Sequence, residues 1–103
     1  MEVKIAKSWI EQAIGLMFRD KQIMIFPFKT YKKTLVNTFF MKYPINIYYF
    51  DNNYKVIRVT ENLMPYYIDI DTYCNGFVEV PTDHKTKLKV GIDIRKVLNI
   101  DNT

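Results

Sequence analysis

The chain has 103 residues and a formal net charge of +4, with 49% hydrophobic and 25% charged residues. This length and composition are typical of one globular domain, and they exclude a disordered chain and a collagen-like chain. Cys74 is the only cysteine and His84 is the only histidine. The chain therefore cannot form an internal disulfide, and it has too few ligands for a typical structural zinc site. We therefore expect a single domain over residues 1–103, with no cofactor and no metal.

No segment approaches the roughly 20 apolar residues that a membrane span requires, and the first residues lack the apolar stretch of a signal peptide. These features predict a soluble, cytoplasmic protein without a membrane partner. The positive charge comes from scattered lysines, which by itself indicates no particular partner.

The first predicted element is a short N-terminal helix. Ser8 is followed three residues later by Glu11, which is the spacing of a capping box at a helix start. Apolar residues then recur at helical spacing, namely Ile10, Ala13, Ile14 and Met17. The helix is therefore predicted to begin at Ser8.

Strands are predicted wherever β-branched and aromatic residues form short runs. These runs are residues 22–26, 35–41, 45–50, 54–60, 77–80 and 90–97. Pro44 is expected at the start of its strand, and residues 51–53 are expected to form a tight hairpin turn. Residues 61–75 are interpreted as a wrapping loop with at most a short edge strand, and residues 82–88 as one helical turn.

Together these elements predict a β-rich α+β fold in a single domain. We expect a curled, mostly antiparallel sheet or a partly closed β-barrel, with one N-terminal helix and a short helical turn near the C-terminus. Too few helices are predicted to connect parallel strands.

Four motifs in this order resemble the domain of unknown function 192 family. They are residues 11–19 (EQAIGLMFR), 38–51 (TFFMKYPINIYYFD), 61–65 (ENLMP) and 78–81 (VEVP). The resemblance covers nearly the whole chain and implies the fold of that family, which is itself largely uncharacterised. Family members typically carry an aspartate where this chain has Asn46, often a histidine where it has Asn37, and a Gly-Asp ending where it has residues 91–93 (GID).

Three polar residues within these motifs are the candidate ligand-binding residues: Arg19, Asn46 and Glu79. Each is flanked by apolar residues, and together they could line one cleft in which Arg19 binds a carboxylate or phosphate. The alternative is structural: Arg19 and Glu79 form an ion pair, and Asn46 satisfies the end of a strand. Asn46 cannot accept a proton at neutral pH, so it would not replace a catalytic aspartate.

A second candidate surface mixes basic and aromatic residues, namely Lys29, Tyr31, Lys32 and Lys33. Such residues can pair with phosphates and stack on bases, although the same composition suits a solvated loop. This surface predicts nucleic-acid binding as the alternative function.

The sequence lacks the common phosphate-loop, zinc-protease, redox and nucleophile-elbow motifs. We therefore assign no catalytic residue and predict a non-enzymatic accessory domain that binds a small molecule or a protein. A nucleic-acid-binding module is the alternative, and an enzyme of unrecognised type is the further alternative.

Overall fold

A computed structural model describes residues 3–6 and 21–99 of the chain. Five strands and one short helix lie in these ranges. They are β1 (Val3–Ile5), β2 (Ile23–Thr34), β3 (Ile45–Phe50), β4 (Val56–Leu63), β5 (Thr72–Pro81) and α1 (Ile94–Leu98). The predicted helix from Ser8 and the candidate residue Arg19 lie outside the described residues.

The strands form one sheet in the order β1-β2-β5-β3-β4. β1 runs parallel to β2, and the other neighbouring pairs are antiparallel. The prediction of a mostly antiparallel sheet is confirmed. The sheet is open, because no ladder among the described residues joins the two edge strands β1 and β4 to close a barrel.

Two apolar clusters cover the two faces of this sheet. The Phe77 face carries Met24, Phe26, Ile47, Tyr49 and Phe77. The Val78 face carries Ile25, Tyr48, Phe50, Val78 and Val80, and it packs against Ile94 and Leu98 of α1. All six residues of β3 are buried, because this strand lies between two others and is covered on both faces.

The predicted hairpin between β3 and β4 is confirmed. The carboxylate of Asp51 accepts hydrogen bonds from the backbone N–H groups of Asn53 at 2.8 Å and Lys55 at 3.0 Å. Pro44 precedes β3 directly, as expected for a residue that cannot donate to the ladder.

The short helix near the C-terminus is confirmed, but it lies at Ile94–Leu98 rather than at residues 82–88. The predicted strand over residues 90–97 is therefore wrong. Asp93 caps the helix by accepting from the backbone N–H of Arg95 at 2.9 Å, and Asn99 ends it in a left-handed conformation. Local capping therefore outweighs the alternating pattern that predicted a strand.

The predicted strand over residues 35–41 is also wrong, because this segment is a loop with a single bridge between Asn37 and Ile68. The loop bends at Phe40, whose φ of +64° is incompatible with a strand. The bridge pairs this loop with the segment that follows β4. Within residues 61–75, which were predicted to form a wrapping loop, β4 continues to Leu63 and β5 begins at Thr72.

Candidate functional site

Glu79 lies at the centre of the sheet on the Phe77 face. In the strand register it faces Met24 of β2 on one side and Ile47 of β3 on the other. Its side chain is buried, and its Oε1 atom has no hydrogen-bond partner among the residues that the structure describes. Burial raises the pKa of Glu79 to about 8. At neutral pH this carboxyl group therefore holds a proton and can act as a hydrogen-bond donor.

Asn46 points to the opposite side of the sheet. Adjacent strand residues alternate between faces, and Asn46 directly precedes Ile47, which shares a face with Glu79. The Asn46 amide oxygen accepts from the backbone N–H of Asn62 at 2.8 Å, and its Nδ2 donates to the Tyr48 hydroxyl at 3.3 Å. Asn62 lies at an irregularity in the β3–β4 pairing, so Asn46 binds a backbone N–H that the ladder leaves unpaired.

Asn46 and Glu79 therefore do not share a cleft, because the buried sheet lies between their side chains. The predicted roles of Arg19, as a ligand-binding residue or as an ion-pair partner of Glu79, stay predictions. Glu79 has unusual surroundings, since its buried Oε1 has no hydrogen-bond partner within residues 3–6 and 21–99.

A network on the same face centres on Asp69. Asp69 Oδ2 accepts from the Tyr49 hydroxyl at 2.6 Å and from the Thr60 hydroxyl at 2.8 Å. The Arg58 guanidinium donates to both carboxylate oxygens, at 3.1 and 3.2 Å. Burial acts to raise the pKa of Asp69, but the hydrogen bonds from Tyr49, Arg58 and Thr60 outweigh it and hold the pKa below its ordinary value.

This network fixes the loop between β4 and β5 to the sheet. The loop between β4 and β5 also contacts the loop that follows β2, because the backbone N–H of Asp69 donates to the Val36 carbonyl at 2.8 Å. The buried Thr38 joins the same two loops, donating its hydroxyl to the Met64 carbonyl at 2.6 Å and accepting from the Tyr67 N–H at 2.9 Å.

The two joined loops carry a group of exposed apolar side chains, which we call the two-loop surface. Every member is at least 39% exposed. The members are Leu35, Phe39, Phe40, Met64, Tyr66, Tyr67, Ile68 and Ile70. A surface cluster of this size is typical of an interaction site rather than of isolated exposed residues.

Two aromatic residues of the two-loop surface have left-handed backbone conformations. Phe40 has a φ of +64° and Tyr66 a φ of +66°, and their rings contact edge to face with centroids 6.2 Å apart. Such a conformation costs about 1 kcal/mol or more for a bulky residue, and strain of this kind is concentrated at functional sites. The only sequence signal was that residues 61–75 are tyrosine-rich and lack a period.

The predicted basic and aromatic residues of β2 are divided between the two faces. Lys32 faces Cys74 across the ladder and lies over the Phe28 ring at 4.3 Å, whereas Lys33 faces Tyr73 and forms an ion pair with Asp71 at 3.2 Å. Tyr31 is on the same face as Lys33, and its ring stacks on Tyr73 with centroids 5.8 Å apart.

Lys29 lines a depression with a volume of about 190 Å³. The other lining residues are Phe28, Phe50, Asp51, Asn52, Tyr54 and Asn75. The depression forms where β2 and β5 lose regular pairing between Pro27 and Lys32.

Within residues 3–6 and 21–99, no group of three or more histidine, cysteine, aspartate and glutamate side chains is arranged to hold a metal ion. The helical part of the described chain includes no segment that is long and apolar enough to cross a bilayer.

Comparison with known proteins gives a family match over most of the chain. The matching model, over residues 1–96, is that of domain of unknown function 192, described as an uncharacterized ACR. A UPF0127 protein of Pyrococcus horikoshii is 38% identical over 92 residues, covering 85% of this chain and 79% of the relative. A UPF0127 protein of Pyrococcus abyssi is 32% identical over 95 residues, covering 88% of this chain and 80% of the relative.

Two crystal structures are similar to this fold. One is a protein of Sinorhizobium meliloti described as a candidate transcription regulator, with a TM-score of 0.70 and coverage of 77% of this chain and 67% of that chain. The other is a protein of unknown function from Novosphingobium aromaticivorans, with a TM-score of 0.70 and coverage of 96% and 69%. Both are 20% identical to this chain, so the likeness concerns the fold alone.

Proposed function

The chain belongs to the domain of unknown function 192 family, and we propose that it acts as a non-enzymatic accessory domain that binds a partner protein through the two-loop surface. The observation that carries this proposal is the exposure of eight apolar side chains on two loops that are joined by hydrogen bonds. Removing such a surface from water on binding is favourable in proportion to its apolar area.

The rigidity of the two loops supports the same proposal. Thr38 and Asp69 hold the loops together, so the aromatic rings are arranged before a partner arrives and less conformational entropy is lost on binding. Tyr66 and Tyr67 offer large apolar rings with hydroxyl groups that can bond a partner, which is why tyrosine is enriched at interfaces. The partner is therefore expected to present an apolar peptide segment with some hydrogen-bonding groups.

We expect the double substitution Phe40→Asn and Tyr66→Asn to weaken this binding strongly without unfolding the protein. Asparagine adopts the left-handed conformation more readily than a bulky residue, so stability should change by about 1 kcal/mol or less. Losing two central aromatic contacts should weaken the affinity roughly tenfold or more. Peptides selected from a random display library, then synthesised and titrated by calorimetry, provide the measurement.

The control is Val90→Ser, which removes an apolar side chain that is 65% exposed outside the two-loop surface. This variant should bind the selected peptides as the unmodified protein does. If the library yields no binding peptide, or if the double variant binds as tightly as the unmodified protein, the proposal is wrong. Self-association that disappears in the double variant would identify a second copy of the chain as the partner.

A further inference from the structure

Strands β2 and β5 extend beyond the end of β3. β3 ends at Phe50, opposite Gly76, whereas β2 and β5 continue to pair through Lys32 with Cys74, Lys33 with Tyr73, and Thr34 with Thr72. The two strands thus form a two-stranded arm at this end of the sheet. Side chains on the outer face of the arm are accessible to a ligand.

An aromatic platform lies on this outer face. Tyr31 is 60% exposed and Tyr73 is 56% exposed, and their rings are within 20° of parallel. Both rings are therefore largely available to solvent instead of being part of the core. Exposed tyrosine rings on β-strands are surfaces on which nucleic-acid bases stack, and such stacking does not require a particular base.

The positive charge beside this platform comes from Lys29. Lys33 is already paired with Asp71, and Lys32 is on the other face over the Phe28 ring. Lys29 is exposed, and it has no ion-pair partner in the part of the chain that the structure describes. It is therefore the lysine of this segment whose charge is available to a ligand.

The depression next to Lys29 is suited to an anionic group. The amide side chains of Asn52 and Asn75 line it together with Lys29. The Asp51 carboxylate also lines it, but Asp51 Oδ1 already accepts from two backbone N–H groups of the turn. At about 190 Å³ the depression is smaller than the roughly 300 Å³ of a typical small-molecule pocket, so it admits one group of a ligand rather than a whole ligand.

Gly76 contacts Phe50, one of the residues that line the depression. Its φ is +148°, and a Cβ atom there would lie 2.3 Å from Phe50 Cζ and 2.5 Å from the Phe26 carbonyl oxygen. Only glycine permits the Phe50 ring to approach the backbone of β5 so closely. The β3–β4 turn is thereby brought against the irregular part of β2.

We propose that the arm binds nucleotide units, with a base stacked on the exposed face of the Tyr31–Tyr73 ring pair and the phosphate held by Lys29, Asn52 and Asn75. Lys29 and Tyr31 are separated by one residue of β2, which brings the base-stacking rings and the phosphate-binding residues into the same short segment. This site is distinct from the two-loop surface and uses none of its residues. The ligand is either a free nucleotide or a single-stranded nucleic acid, which share this chemistry.

The two sources are distinguished by titrating the protein with adenosine and uridine monophosphates by NMR, and with a fluorescent single-stranded RNA of mixed sequence by anisotropy. Free nucleotides that bind as tightly as the RNA would identify a nucleotide site. Binding of the RNA alone would identify a strand-binding site. In either case, amide shifts are expected around Lys29, Tyr31, Tyr73 and Asn75.

The variants that test the contacts are Tyr31→Thr combined with Tyr73→Thr, and Lys29→Gln. Threonine is compatible with a strand, and we expect loss of the rings to weaken binding by roughly fivefold to a hundredfold. If the RNA binds, Lys29→Gln should reduce the slope of the logarithm of affinity against the logarithm of salt concentration by about 0.7.

Two matched controls make the same chemical changes elsewhere. Tyr67→Thr removes a ring from the two-loop surface, and Lys89→Gln removes an exposed charge outside the arm. Both should leave nucleotide and RNA binding unchanged. Equal affinities for the arm variants and the unmodified protein, or no saturable binding of any of the three probes at low salt, would overturn the proposal.

Discussion

Replacing Glu79 with glutamine is expected to remove a loss of stability that we predict for the unmodified protein as the pH rises from about 4.5 to about 8. The Glu79 carboxyl is buried among apolar residues of the Phe77 face, and burial raises its pKa from an ordinary value of 4.5 to about 8. Within this interval the unfolded chain releases the proton while the folded protein keeps it.

The direction of the effect follows from this difference in proton binding. The favourable contribution of the protonated carboxyl is fully present below about pH 4.5, and it is lost as the pH rises through about 8. The free energy of unfolding is therefore expected to fall by several kcal/mol across the interval, on the order of one kcal/mol for each pH unit. Glutamine has a similar shape and cannot ionise, so the contribution of Glu79 to the slope should disappear.

Urea unfolding of both proteins at several pH values measures this slope directly. Glu61→Gln is the matched control, because Glu61 is an exposed glutamate of β4 and its replacement should leave the slope unchanged. A slope in the Glu79→Gln variant equal to that of the unmodified protein would mean that the carboxylate of Glu79 is stabilised in the folded state after all.

Replacing Asp69 with asparagine is expected to lower the free energy of unfolding at neutral pH by about 3 kcal/mol. The substitution leaves the partly buried Arg58 guanidinium without its counter-charge, and asparagine cannot accept from Tyr49, Thr60 and Arg58 as the carboxylate does. Because the pKa of Asp69 is lowered in the folded state, its stabilising contribution is present above the ordinary pKa and is lost as the pH falls through the lowered value.

The control for this substitution is Asp71→Asn, two residues away. Asp71 pairs with Lys33 at the surface, where both side chains are about half exposed, so its replacement should cost less than about 1 kcal/mol. Denaturant unfolding gives both values, and amide hydrogen exchange at Tyr67 and Asp69 reports on the two loops. If Asp69→Asn and Asp71→Asn lose the same small amount of stability, the Asp69 network does not fix the loop.

The two carboxyl groups, Glu79 and Asp69, lie on the same face of the sheet but in opposite surroundings. The donors around Asp69 keep it charged, whereas Glu79 has apolar neighbours and holds its proton. Asp69 also connects stability to the proposed function, since it holds the loop that carries Tyr66, Tyr67 and Ile68. Asp69→Asn should therefore weaken peptide binding, whereas Glu79→Gln should leave that binding intact at a pH where both proteins are folded.

The candidate site was predicted only in part, and the reason differs between residues. Glu79 was found because a charged residue within an apolar run is visible in the sequence, and its burial follows from the central position of β5. Asn46 was predicted from the same signal. The face of the sheet to which its side chain points depends on the strand register, which the sequence does not show. The two-loop surface depends on contacts between segments about 30 residues apart, and no local pattern encodes them.

The sequence alone determined the family, the strand-rich composition, the limits of β3 and the hairpin that follows it. These features depend on local chemistry: the apolar run of residues 45–50 is buried on both faces, and Asp51 bonds the backbone of its own turn. Tertiary structure alone decided the strand order, the loop at residues 35–41 and the opposite placement of Asn46 and Glu79. Each of these depends on hydrogen bonds and packing between distant segments, whose combined free energy outweighs the local preferences that the sequence displays.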